Sequence, residues 1–95
     1  MIRFQQTEEQ EELAIEVDGM DAHAIVLFND DVNTFDHVID CLVTYCDHSP
    51  EQAEQCSLIV HYKGKCAVKK GDTDDLQPIC DALCREGLSA VIDQL

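Results

Sequence analysis

The sequence predicts an α+β domain with elements in the order β-α-α-β-α-β. Three observations predict it. Short, largely apolar runs fall at residues 24–28, 66–69 and 90–92. Segments between them repeat apolar residues at steps of three and four, the helical period. Gly, Pro, Asn, Asp and Ser punctuate the boundaries. Short strands and segregated helices of this kind fit an antiparallel sheet covered by helices.

Residues 1–22 are expected to form an acidic, flexible N-terminal extension, and residues 23–95 the core domain. Gln5-Gln6-Thr7-Glu8-Glu9-Gln10-Glu11-Glu12 is polar and lacks a core-forming period. Leu13, Ile15 and Val17 alternate with Ala14 and Glu16, the period of a short extra strand. Residues 24–28 read as a buried central strand. Asn29-Asp30-Asp31 ends it, because these side chains favour turns over ladders.

The first helix follows, capped by Asn33 or Thr34, with Asp36 in the first turn where the helix dipole favours a carboxylate. Phe35, Val38, Ile39, Leu42 and Cys46 make its apolar face, and it is expected to end near Cys46-Asp47-His48. The second helix opens on Ser49 as N-cap, Pro50 at the first helical position and Gln52 at the capping-box position. Ala53, Cys56, Ser57 and Val60 form its inner face, and its expected end is Val60 or His61.

Tyr62-Lys63-Gly64-Lys65 is then a turn, residues 66–69 a short strand, and residues 69–75 a loop. Proline is tolerated only in a first helical turn, so Pro78 predicts a third helix starting near Asp75. It runs through Ile79, Cys80, Leu83 and Cys84, and Gly87 stops it. Residues 90–92 make the last strand.

Ninety-five residues allow one small domain, and an apolar fraction of 45% supplies a core. The formal charge is −14, from 20 acids against 6 bases. Such a surface repels phosphate, so neither nucleic acid nor an anionic membrane is an expected partner. No apolar run approaches the roughly 20 residues that span a bilayer. The N-terminus shows no basic-then-apolar signal, so the expected location is cytoplasmic.

Six cysteines stand at 41, 46, 56, 66, 80 and 84, without a C-x-x-C pair. In a chain without an export signal they read as reduced, small hydrophobes. His23, His37 and His48 share no metal-ligand spacing, so no metal site is expected. No nucleophile–base pair stands at a motif spacing and there is no Gly-rich phosphate loop, so neither an enzyme nor a cofactor is expected.

The chemistry concentrates at Asn29-Asp30-Asp31 and at His61, which ends the apolar run Leu58-Ile59-Val60. An α-ammonium brings three N–H donors and a positive charge, and needs acceptors at fixed positions. Asn29 offers an amide oxygen, Asp30 a carboxylate and His61 a ring nitrogen. The plainer reading stays open beside it. Asn-Asp-Asp after a strand also serves as turn and cap, Asp31 can cap the first helix, and a histidine after an apolar run can be an ordinary boundary residue.

These motifs resemble the ClpS family, bacterial adaptors that recognise N-terminal degradation signals and hand substrates to a Clp ATPase–protease. Val26-Leu27-Phe28-Asn29-Asp30-Asp31, Val38-Ile39-Asp40 and Val60-His61-Tyr62-Lys63-Gly64-Lys65 carry the resemblance. It implies a ClpS-like fold, a three-stranded antiparallel sheet packed by three helices. It implies that Asn29, Asp30 and His61 hold the substrate α-amino group. The matching hydrophobic-pocket positions are Asn33, Phe35, Val38, Leu42, Ser57, Val60 and Ala90. The implied partners are N-degron substrates and the N-domain of a Clp-family AAA+ ATPase of the ClpA or ClpC type. The tail, residues 1–22, inherits a role in hand-off.

The chain also departs from that family. Val32-Asn33-Thr34-Phe35 stands where Tyr-Thr-Pro-Met is usual, so a rigid ring replaces a flexible Met at the pocket mouth. Ser57 stands where Met is frequent, which widens the pocket or makes it more polar. Asp72-Thr73-Asp74-Asp75-Leu76-Gln77-Pro78-Ile79 replaces the usual docking stretch, with Ile79 at its basic position. A divergent Clp ATPase fits that change. The alternative is a non-catalytic interaction module of the same fold without an amino-acid pocket.

Overall fold

Strand β1, His23–Phe28, is the middle strand of a three-stranded antiparallel sheet in the computed structural model, which describes residues 23–95. The extension and the strand expected near residues 13–17 lie outside the described residues. After β1 come α1 (Phe35–Cys46), α2 (Pro50–Lys63), β2 (Lys65–Gly71), α3 (Thr73–Arg85) and β3 (Ser89–Gln94). The sheet order is β2-β1-β3. Element order and sheet are those the sequence predicts.

Apolar alternation places Ile25 and Leu27 of β1 in the core, where they meet Leu42 of α1 and Leu76 and Leu83 of α3. All five are essentially inaccessible to solvent, and each such burial stabilises the fold by about 1.5–3 kcal/mol. The six cysteines all lie among the described residues and are unpaired thiols. Burial pushes Cys46 and Cys80 up to about 11, so both stay neutral at physiological pH.

Strand β3 is six residues rather than the three expected at 90–92, because β1 pairs with it from Phe28↔Ser89 to His23↔Gln94. Three further boundaries differ from the sequence expectation, each for a local reason. Helix α2 does not end at Val60 or His61 but runs on to Lys63. Gly64, at φ 93°, is the first residue able to take the left-handed cap, and its N–H returns to the Val60 carbonyl. His61 and Lys63 in the last turn suit the negative end of the helix dipole. Half of the segment expected as a turn, Tyr62 and Lys63, is therefore helix, and Lys65 already belongs to β2.

Strand β2 spans seven residues because β1 gives it partners from Phe28↔Lys65 to His23↔Gly71. The register skips between Ile25↔Lys69 and Val26↔Ala67, which leaves Val68 as the extra residue of a bulge. A bulge frees a backbone group from the ladder, and His48 meets it: its Nε2 donates to the Val68 carbonyl at 2.6 Å.

Helix α3 starts at Thr73, not Asp75, so Pro78 lies inside it. The Asp72 side chain caps the helix by accepting the Asp75 N–H at 2.9 Å. The bond that Pro78 cannot make belongs to the carbonyl of Asp74, an exposed first-turn residue that water can satisfy. The other two helix starts follow expectation, with Thr34 and Ser49 accepting from His37 and Gln52 at 3.1 Å each.

Candidate functional site

Asn29 is placed by a bond just beyond the ladder. Its N–H donates to the Gly64 carbonyl at 2.9 Å, one step past the pair Phe28↔Lys65. Gly64 is in turn tied to Val60, so the last turn of α2, with His61, is held beside the end of β1. The sequence separates Asn29 and His61 by about thirty residues, and this pair of bonds brings them together.

Asp30 organises the loop that follows. Its Oδ1 accepts the N–H groups of Val32 and Asn33 at 2.9 Å, and its Oδ2 accepts Asn33 Nδ2 at 2.8 Å. The Asn33 N–H, then the Asn33 side chain and the Val32 N–H, hold the Asp30 carboxyl below its ordinary 3.8. The group is therefore ionised at neutral pH. A carboxylate has about four acceptor directions, and three accepted bonds leave roughly one for a ligand donor. Asn33 Nδ2 also donates to the Gly87 carbonyl at 2.9 Å, which braces the loop against the end of α3. Thr34, not Asp31, caps α1, and Asp31 is exposed.

These residues border a concavity of about 310 Å³. It is at the small end of the roughly 300–1,000 Å³ typical of small-ligand sites. Asn29, Asp30, Asn33, Phe35, Val38, Ser57, Val60 and His61 line it, together with Leu27, Phe28, Asp31 and Leu88. Its walls combine the buried Leu27, Val60 and Leu88 with the exposed polar side chains of Asn29 and His61. The Ser57 hydroxyl donates to the Ala53 carbonyl of its own helix at 2.8 Å, so its proton does not face a ligand. Phe35 lies edge-on to His61, with centroids 5.6 Å apart and planes at 90°.

Leu42 and Ala90, expected along the pocket, do not line it. Both belong to the core, and Ala90 pairs with Leu27 in the sheet. Leu88 lines it without having been anticipated. Its N–H bonds the Leu83 carbonyl while that of Gly87 bonds Cys84, the paired closure of a helix whose second residue past the cap packs inward. An apolar residue directly after a stop glycine was the available signal.

The arrangement sets a fixed carboxylate, an amide and an imidazole around a small apolar recess. It can accept hydrogen bonds from a cationic group attached to an apolar one. Among the described residues no helix is long and apolar enough to cross a membrane.

A family model described as "ATP-dependent Clp protease adaptor protein ClpS" matches residues 18–91. A ClpS adapter protein of Thermosynechococcus vestitus is 32% identical over 68 residues, covering 70% of this chain and 72% of that one. One from Streptomyces avermitilis is 27% identical over 93 residues, covering 98% and 89%. The solved structure of Agrobacterium tumefaciens ClpS2 bound to L-phenylalaninamide superposes with a TM-score of 0.68. It covers 80% of this chain and 99% of its own at 17% identity, a likeness of fold.

Proposed function

This chain belongs to the ClpS family of Clp protease adaptors, and we propose that it reads the free α-amino group and bulky apolar first residue of N-degron substrates. The observation that carries this is the recess itself, where Asn29, Asp30 and His61 border a wall of Leu27, Val38, Val60 and Leu88. An α-ammonium can donate to the open direction of Asp30, to the Asn29 oxygen and to the His61 ring. Each charge-assisted bond contributes about 1.5–3 kcal/mol net. Burying a Leu or Phe side chain contributes about 1.5–3 kcal/mol more. After the cost of association this corresponds to roughly micromolar affinity. L-phenylalaninamide, bound by the Agrobacterium relative, has the same two features, a free α-amine and a large apolar side chain.

Bound substrates are then delivered to the N-domain of a Clp-family AAA+ ATPase, with residues 1–22 taking part in hand-off. The exposed acids Asp74, Asp75 and Asp81 on α3 favour a basic docking surface on that ATPase.

The test is fluorescence anisotropy of labelled peptides that differ only in residue one, with an N-acetylated Leu control. Leu, Phe, Tyr and Trp peptides are expected to bind at micromolar concentration, and acetylation to abolish it. Asp30→Ala is expected to remove binding, and unchanged affinity in that variant would sink the site. A second reading keeps the fold without an amino-acid pocket. It is favoured by Asp30, whose carboxylate already holds its own loop. Failure of every peptide, with retained binding to a Clp ATPase N-domain, would select it.

A further inference from the structure

We propose that His37, Cys41 and Glu86 form a binding site for a zinc-class divalent ion at the junction of α1 and α3. Ligand atoms from the three side chains all lie within 4.8 Å of one another. His37 and Cys41 are one helical turn apart, so they share a face of α1. Glu86 is the C-cap of α3 and comes from 45 residues further along. The histidines share no spacing, but the partners of His37 are a cysteine and a carboxylate.

The geometry suits a tetrahedral ion. Cys41 Sγ and His37 Nε2 are 3.7 Å apart. On an ion with a sulfur bond of about 2.3 Å and a nitrogen bond of about 2.0–2.1 Å, tetrahedral angles put these atoms roughly 3.6 Å apart. One thiolate, one imidazole and one carboxylate form a borderline-soft donor set of the kind zinc accepts. Burial runs from Cys41, inside, through half-buried His37 to exposed Glu86, so the fourth position is open to water.

The surroundings already hold the carboxylate. Tyr45 donates its hydroxyl proton to Glu86 Oε2 at 2.7 Å, as outer partners of metal ligands do. His37 Nε2 carries a proton here, because it bonds the Glu86 carbonyl at 2.8 Å and a carbonyl cannot donate. Loading moves that proton to Nδ1, and the exposed carbonyl turns to water. The Cys41 thiol proton leaves to solvent as the Sγ–metal bond forms.

Cobalt(II), titrated into the full chain kept reduced by a phosphine, is the probe. One cobalt per chain is expected, with a thiolate-to-cobalt charge-transfer band that zinc(II) erases by displacement. Cys41→Ser and His37→Gln are expected to abolish the band. Glu86→Gln and Tyr45→Phe weaken binding about tenfold or more, Tyr45 acting as a positioning residue. Cys84→Ser and Cys56→Ser leave it unchanged. His37 and Glu86 lie outside the buried core, so their variants remain informative if Cys41→Ser misfolds. Absence of the band in the unaltered chain overturns the proposal. So does a band that survives His37→Gln and disappears with Cys56→Ser.

Discussion

Helix α2 has a histidine near each end, in opposite surroundings. His48, just before the Ser49 cap, is 6% exposed and bonds the Val68 carbonyl across the domain. His61, in the last turn, is exposed and lies in T-shaped contact with Phe35 and Tyr62, at centroid distances of 5.6 and 4.8 Å. The same side chain completes a backbone at one end and stands beside a recess at the other. A backbone acceptor within reach makes the difference. The bulge at Val68 supplies one to His48.

The contrast can be broken by exchanging stability for binding. His48→Ala leaves the Val68 carbonyl without its donor and should cost about 1–3 kcal/mol in urea denaturation, with peptide affinity unchanged. His61→Ala should do the reverse. Peptide affinity should fall roughly tenfold by anisotropy, about 1.4 kcal/mol, while stability stays within about 0.5 kcal/mol. Equal stability losses in the two variants would erase the distinction.

Smaller effects sharpen it. Nothing lies within 4 Å of a Cβ built at Gly64, so Gly64→Ala meets no steric block and feels only its φ of 93°. It should cost about 1 kcal/mol in denaturation and loosen the turn that carries His61. The smallest effect is on pH. A carboxyl held below 3.8 in the folded chain adds stability above that value, and loses it only as pH falls through the lower folded value. A carboxyl-carbon NMR titration should find Asp30 titrating below 3.8, and Asp30 titrating at or above it would remove the loop's hold on the carboxylate.

The order of elements was legible because its signals are local. Ser49-Pro50 and the apolar period of α1 needed nothing distant to act. The length of β2 was not legible, because Lys65, Lys70 and Gly71 join a strand only when β1 offers partners. Pro78 misled for a related reason: a helix tolerates it where the orphaned carbonyl stays wet. At the recess, Asn29-Asp30-Asp31 marked a strand end and His61 a helix boundary. Their approach depends on the Gly64 carbonyl, and the hold of Asn33 on Asp30 depends on a loop conformation that composition does not encode. Glu86 is further still from His37 in sequence, and only the packing of α3 on α1 brings it near.

Strand β2 forms one edge of the sheet, and Lys65, Lys69 and Lys70 stand along it. These are three of only six basic residues in the chain. A second copy adding antiparallel to this edge would set ammonium groups against ammonium groups, and like charges facing across a ladder destabilise it. An open strand edge is the usual template for fibril growth. Here three of the scarce basic side chains line the edge, which disfavours that pairing in an otherwise acidic protein.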